Sequence, residues 1–147
     1  MKALLQRVSQ AWVSHNAIAI GRIGPGLVIL AGVARGDSEK DAQYLAHKIL
    51  ILRIFPDEQS KLNLSVQDTK GELLVVSQFT LLADSRKGHR PSFADAAPPA
   101  EAEPLFELLM ELLRASGLKV AKGIFREHLL VGIYNDGPVT ILLDSKG

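Results

Sequence analysis

The chain has no cysteine among its 147 residues. That absence removes disulfide staples, thiolate metal sites and cysteine nucleophiles together, and it fits a reducing compartment. No apolar run approaches the roughly 18 residues that cross a bilayer. The opening "MKALLQRVSQ" meets Gln6 and Arg7 before any stretch long enough for a secretory signal, so the expected location is cytoplasmic, with no membrane partner. A charge excess is missing too. Seventeen Lys and Arg face sixteen Asp and Glu, for a net charge of +1. Such a chain is not built to coat nucleic acid, no DNA partner is expected, and any RNA contact has to use a local patch. The histidines, His15, His47, His89 and His128, show no H-x-x-x-H or H-x-H spacing, which argues against a metal site. There is no internal repeat and no interdomain linker.

What is present suits one packed domain, residues 1–147, with hydrophobic residues at 47%. Residues 2–9 read as a strand. "AWVSHNAIAI" follows, with His15-Asn16 as a turn between two short strands. "GRIGPG" reads as a turn cluster, and "LVILAGV" at 27–33 as a strand buried on both faces. Asp37 and Ser38 offer caps for a helix whose apolar face is Ala42, Leu45, Ala46, Ile49 and Leu52, stopped by Pro56. Residues 57–70 look like loop. "ELLVVSQFTLL" reads as a further strand. "PPAEAEPLFELLMELLRASG" reads as a second helix with a stripe of Leu105, Leu108, Leu109, Leu112 and Leu113, Pro104 in its first turn and Gly117 at its C-terminal cap. Strands near 128–134 and 139–143 flank "NDGP". The order β-β-β-α-β-α-β-β, with short turns between strands, predicts a mixed or antiparallel α+β fold with two main helices rather than alternating βαβ units.

Three stretches carry candidate chemistry. Ser77, Gln78 and Thr80 interrupt an apolar strand. A hydroxyl needs a base to become a nucleophile, and no histidine or carboxylate stands at a local spacing that supplies one. Either these residues punctuate a strand end, or backbone N–H groups freed there form an oxyanion site. Asn135-Asp136-Gly137-Pro138 reads first as a hairpin turn, although Pro138 removes a ladder donor directly after it. Arg86, Lys87, His89 and Arg90 form a basic stretch, either a solvated loop or a phosphate contact. Phe79 and Phe93 flank it as core residues or as surfaces on which a base could stack.

Taken together, "LLQRVSQAWV", "GLVILAGV", "KILILRIFPD", "KLNLSV", "LLVVSQFTLLAD", "KGHRPSF" and "VGIYNDGPVT" occur in the order found in D-aminoacyl-tRNA deacylases, and the resemblance spans essentially the whole chain. It implies a compact α+β fold around a β-barrel-like core and a homodimer with active sites at the interface. It also implies hydrolysis of the ester of D-aminoacyl-tRNA, and of glycine mischarged on tRNA(Ala), with no metal or organic cofactor. By the same resemblance Ser77, Gln78, Phe79 and Thr80 line the pocket. Gly137 and Pro138, joined by a cis bond, enter the partner's pocket and exclude an L side chain, with Arg7 and Asn135 supporting them. Phe125 and Leu129 pack around the terminal adenosine, and Lys87 and Arg90 face the tRNA. One stretch departs from the family pattern. Where small residues are usual, "GIFREHLL" carries Arg126, Glu127 and His128. A Thr80-dependent esterase and a non-catalytic binder of tRNA ends are the competing expectations.

Overall fold

The computed structural model describes Met1–Gly147 in full. Its first strand is longer than the sequence suggests. Strand β1 runs unbroken over Lys2–His15, and the turn falls at Asn16 and Ala17, both with positive φ. Strand β2, Ile18–Ile23, returns along the second half of β1, so Gly21-Arg22-Ile23 are strand and not turn. Strand β3, Gly26–Gly32, pairs with the first half. One strand thus serves two partners in succession, where two short strands were expected.

Helix α1 spans Glu39–Ile51 with Ser38 as its N-cap residue, and the Ser38 N–H donates to the Asp41 carboxylate at 2.8 Å. Its buried face is Asp41, Ala42, Leu45, Ala46 and Ile49. Asp37 is drawn off to the Met1 amino group, 2.6 Å away. The 57–70 segment is not all loop, because β4 (Phe55–Pro56) and β5 (Leu62–Leu64) form a small ribbon. Strand β6 covers Glu72–Ser77 and lies parallel to β3.

Helix α2, Pro99–Arg114, buries Ala102, Phe106, Leu109, Met110 and Leu113. The stripe is therefore rotated from the expected one, and Leu105, Leu108 and Leu112 are only half-buried flanks. Pro104 sits in the second turn, where it cannot donate to the exposed Ala100 carbonyl. Ala115 is the C-cap residue, and Gly117, at φ +85°, follows it. Strand β7, Val120–Lys122, was not expected; it pairs parallel to β6. Strand β8, Leu130–Asp144, pairs with β1 alone.

The sheet order is β2-β1-β3-β6-β7, and Lys119 Nζ donates to the Arg22 carbonyl at 2.8 Å across the β7–β2 seam. The result is a nearly closed, barrel-like sheet. Strict alternation explains its two faces. Val28, Leu74 and Val76 point inward with Val8, Ala11, Val13 and Ile23. Leu27, Ile29, Leu73 and Val75 point outward onto α1 and α2 in a larger core. This is why β3 reads as one continuous apolar run.

Candidate active site

The β6 strand ends at Ser77, at the level of Ala31 on β3. Gln78 donates its N–H to the Ala31 carbonyl at 2.8 Å, and residues Phe79–Leu82 then wind into a 3-10 turn. The strand expected through Leu82 is thus cut short at Ser77. Gly32 makes the turn possible. A Cβ there would stand 2.7 Å from the Gln78 carbonyl oxygen and 2.6 Å from a Leu82 methyl. At the start of such a turn the first N–H groups lack partners inside it; here these belong to Phe79 and Thr80.

Ser77, Gln78 and Phe79 line a cavity of about 540 Å³. Its other walls come from Gly32 and Val33 at the end of β3, Ala96, Ala97, Pro99 and Ala102 at the start of α2, and residues 124–129. Phe125 and Leu129 lie in that last wall, as do Arg126, Glu127 and His128. Phe125 is anchored by Phe106 of α2, with ring centroids 6.0 Å apart. The small residues of the α2 wall were not singled out from the sequence. They carry no reactive group, and their only signal was the Ala/Pro-rich composition of "AAPPAEAEP". Thr80 points its hydroxyl to Gln78, whose side-chain amide donates to it. No imidazole or carboxylate hydrogen-bonds to Thr80, whose one side-chain partner is that amide. No cluster of three histidine or acidic side chains is placed to hold a metal ion.

Gly137 and Pro138 do not line this cavity. They lie in a four-residue loop thrown out of β8. Asn135 faces Val8 and Thr140 faces Gln6, so Asp136–Val139 have only Arg7 opposite them. Both halves of β8 pair with the same strand, and "NDGP" is therefore an outsized bulge, not a hairpin turn. Arg7 holds its neck. Its Nε donates to the Asp136 carbonyl at 2.9 Å, and a terminal nitrogen donates to the Ile54 carbonyl at 2.8 Å. Asn135 clamps the other side, accepting from the Val139 N–H at 3.0 Å and donating to the Thr140 hydroxyl at 2.8 Å. The Gly137–Pro138 bond is cis, and both residues are exposed.

Lys87 and Arg90 lie outside the cavity on an exposed loop. Mutual backbone hydrogen bonds between Asp84 and Ser92, both 2.8 Å, close its base. Arg86 is spent on Asp84, to which it donates twice, at 2.7 and 2.8 Å. Those hydrogen bonds hold the Asp84 carboxyl well below the usual carboxylate range and raise the Arg86 guanidinium in turn.

A profile of the D-Tyr-tRNA(Tyr) deacylase family matches residues 4–144. A D-aminoacyl-tRNA deacylase of Dehalococcoides mccartyi is 56% identical over 99% of this chain and 95% of its own length. One of Heliobacterium modesticaldum is 55% identical over 100% and 98%. Among solved structures, the c-Myc DNA Unwinding Element Binding Protein superposes with a TM-score of 0.92 at 40% identity, covering 98% of each chain. A probable eukaryotic D-amino acid tRNA deacylase superposes with a TM-score of 0.81 over 97% of each chain; at 16% identity that likeness concerns the fold.

Proposed function

This chain belongs to the D-Tyr-tRNA(Tyr) deacylase family, and from that premise we propose how its residues perform the reaction. The protein is a hydrolase of ester bonds, a D-aminoacyl-tRNA deacylase. In our reading the aminoacyl-adenosine end of the tRNA occupies the cavity. Phe125 and Leu129 pack the adenosine, and the ester carbonyl lies over the Phe79–Leu82 turn. Water adds to the carbonyl carbon, the N–H groups of Phe79 and Thr80 stabilise the oxygen that becomes negative, and the bond to the ribose oxygen breaks. The products are the free amino acid and a tRNA that regains its ribose hydroxyl, while the neighbouring ribose hydroxyl orients the water. An oxyanion donor contributes about 3–4 kcal/mol, and orientation in the cavity supplies more, so an ester needs no side-chain nucleophile. The observation that carries this reading is Thr80, whose hydroxyl is tied to an amide that cannot act as a base. Ser77, Gln78 and Thr80 then position the turn, and the Gln78–Thr80 hydrogen bond favours this reading over a Thr80-dependent esterase.

The second part of the proposal is the gate. Gly137 and Pro138 are displayed outward, away from their own cavity, on a loop braced by Arg7 and Asn135. We assign them to the cavity of a second copy, where they meet an L side chain but leave room for a D side chain or for glycine, including glycine on tRNA(Ala). Strand β8 supports the pairing. It is an edge of 15 residues with exposed Leu130, Tyr134 and Leu142, and a long open edge is a template for another chain. Lys87 and Arg90 contribute charge toward the tRNA, and the cytoplasm, where translation takes place, is the expected site of action.

The test is deacylation of matched D-tyrosyl-, L-tyrosyl- and glycyl-tRNA by chelator-treated protein. Rapid loss of the D and glycyl esters with the L ester spared is the expected outcome. Hydrolysis of D and L alike removes the gate, and hydrolysis of none removes the activity.

A further inference from the structure

The cavity mouth continues into a surface that the proposed reaction does not use. Phe79 has one face in the cavity, yet it is 56% exposed, and it meets Phe93, 37% exposed, edge-on with centroids 5.0 Å apart. Two phenylalanines in contact and both open to water are unusual in a chain with five, since large apolar side chains are normally withdrawn. Phe93 follows directly on Ser92, the closed base of the basic loop. On the tip of that loop, Arg86 is neutralised by Asp84, while Lys87, His89 and Arg90 are exposed and form no ion pair. An aromatic step thus leads out of the cavity toward two unpaired cations, Lys87 and Arg90, with His89 beside them.

We infer that Phe79 and Phe93 form a stacking platform for the unpaired nucleotides that precede the terminal adenosine of tRNA, with Lys87, His89 and Arg90 tracking their phosphates. This deepens the functional reading above and rests on it. If the last nucleoside fills the cavity, the strand has to leave through its mouth, and Phe79 is common to both surfaces. Bases stack on aromatic faces whatever their identity, and cations beside them follow the backbone. The same arrangement answers how a chain of net charge +1 engages RNA, by a local patch at the one place where the single strand emerges.

The experiment compares Phe93→Ala with wild type on two substrates, D-tyrosyl-tRNA and the minimal ester D-tyrosyl-adenosine, and measures binding of the single-stranded RNA trinucleotide CCA. The expected result is a KM for the tRNA raised about 5- to 150-fold, the range of one stacked base. Kinetics on the adenosine ester stay unchanged, CCA binding weakens, and Phe93→Tyr restores it. Equal loss on both substrates means that Phe93 only shapes the cavity, and overturns the inference. So does no loss on either, or a change in molar mass by sedimentation, which would make the patch a contact between subunits. If wild-type protein hydrolyses neither ester, the functional reading fails, but the inference is still decided by CCA. Weaker trinucleotide binding by Phe93→Ala upholds the platform, and unchanged binding removes it.

Discussion

The cavity beside Ser77 and the loop at Gly137 are built from the same sheet in opposite ways. The cavity is formed where strands stop. β3 and β6 end side by side, Gly32 lets the Gln78 carbonyl come close, and the first turns of α2 close the wall. Val33, Ala97, Ala102 and Phe125 of its lining rest on the main core, and Val76, Leu129 and Val131 on the smaller one inside the barrel. The loop is formed where a strand does not stop. β8 ejects four residues and resumes pairing with β1. Val139 packs against the main core, while Asp136, Gly137 and Pro138 are exposed and the loop is held by the side chains of Arg7 and Asn135. The difference teaches that a concave, preorganised half and a convex, displayed half can be encoded on one chain without meeting in that chain. On the proposed reading, each is completed by another copy.

Four substitutions sharpen that contrast, in falling order of effect. Ala97→Trp fills the cavity and should lower the rate on D-aminoacyl-tRNA by at least about 100-fold, the scale of a misplaced reacting group, with a thermal midpoint close to wild type. Arg7→Ala frees the loop by removing two charged hydrogen bonds, each of the 1.5–3 kcal/mol class. It should cut the D-over-L ratio about 10- to 100-fold, chiefly by raising the L rate. A fall in the D rate with the ratio intact would show that Arg7 serves the cavity instead.

Asp41→Asn touches neither half and should leave the D-over-L ratio alone while lowering stability by about 1–3 kcal/mol, measured by urea unfolding. Burial alone would push the Asp41 carboxyl up. The hydrogen bonds from Ser145, from the Ser38 N–H and from Lys146, with the nearby Met1 amino group, outweigh burial and hold it far below the ordinary range. A depressed folded pKa means that this stabilisation is complete above the unfolded carboxylate value of about 3.9 and fades as pH falls below it toward the folded value. The Asn variant should lack that part of the acid sensitivity. Thr80→Val is the smallest effect. With a positioning role only, it should slow the D rate by less than about 10-fold, the span of one net hydrogen bond. A complete loss with tRNA binding intact would restore Thr80 as nucleophile.

Much of this was legible in the sequence because the relevant signals are local. The double-faced burial of β3, the start of α1 at Ser38, and the interruption at Ser77 each follow from neighbouring residues. What was missed depends on partners distant in sequence. Nothing in "NDGP" reveals that both flanking strands pair with β1, so a bulge looks like a turn. The α2 stripe was out of phase because leucines lie on several sides of that helix, and only packing against α1 and the sheet selects Phe106 and Met110. The small residues of the cavity wall were invisible for a chemical reason, since shape without a reactive group leaves no motif.

The most direct test of the central claim, that one chain's loop gates another chain's cavity, is a mixing experiment. Arg7→Ala protein, with a working cavity and a loosened gate, hydrolyses both D and L esters. Ala97→Trp protein, with a blocked cavity and an intact gate, is titrated into it under conditions that allow subunits to exchange. If the gate acts across copies, the L rate per Arg7→Ala chain should fall as mixed dimers form, while the D rate persists. An L rate per chain that does not change, at a molar mass showing that mixed dimers are present, would contradict the account and return the loop to its own cavity.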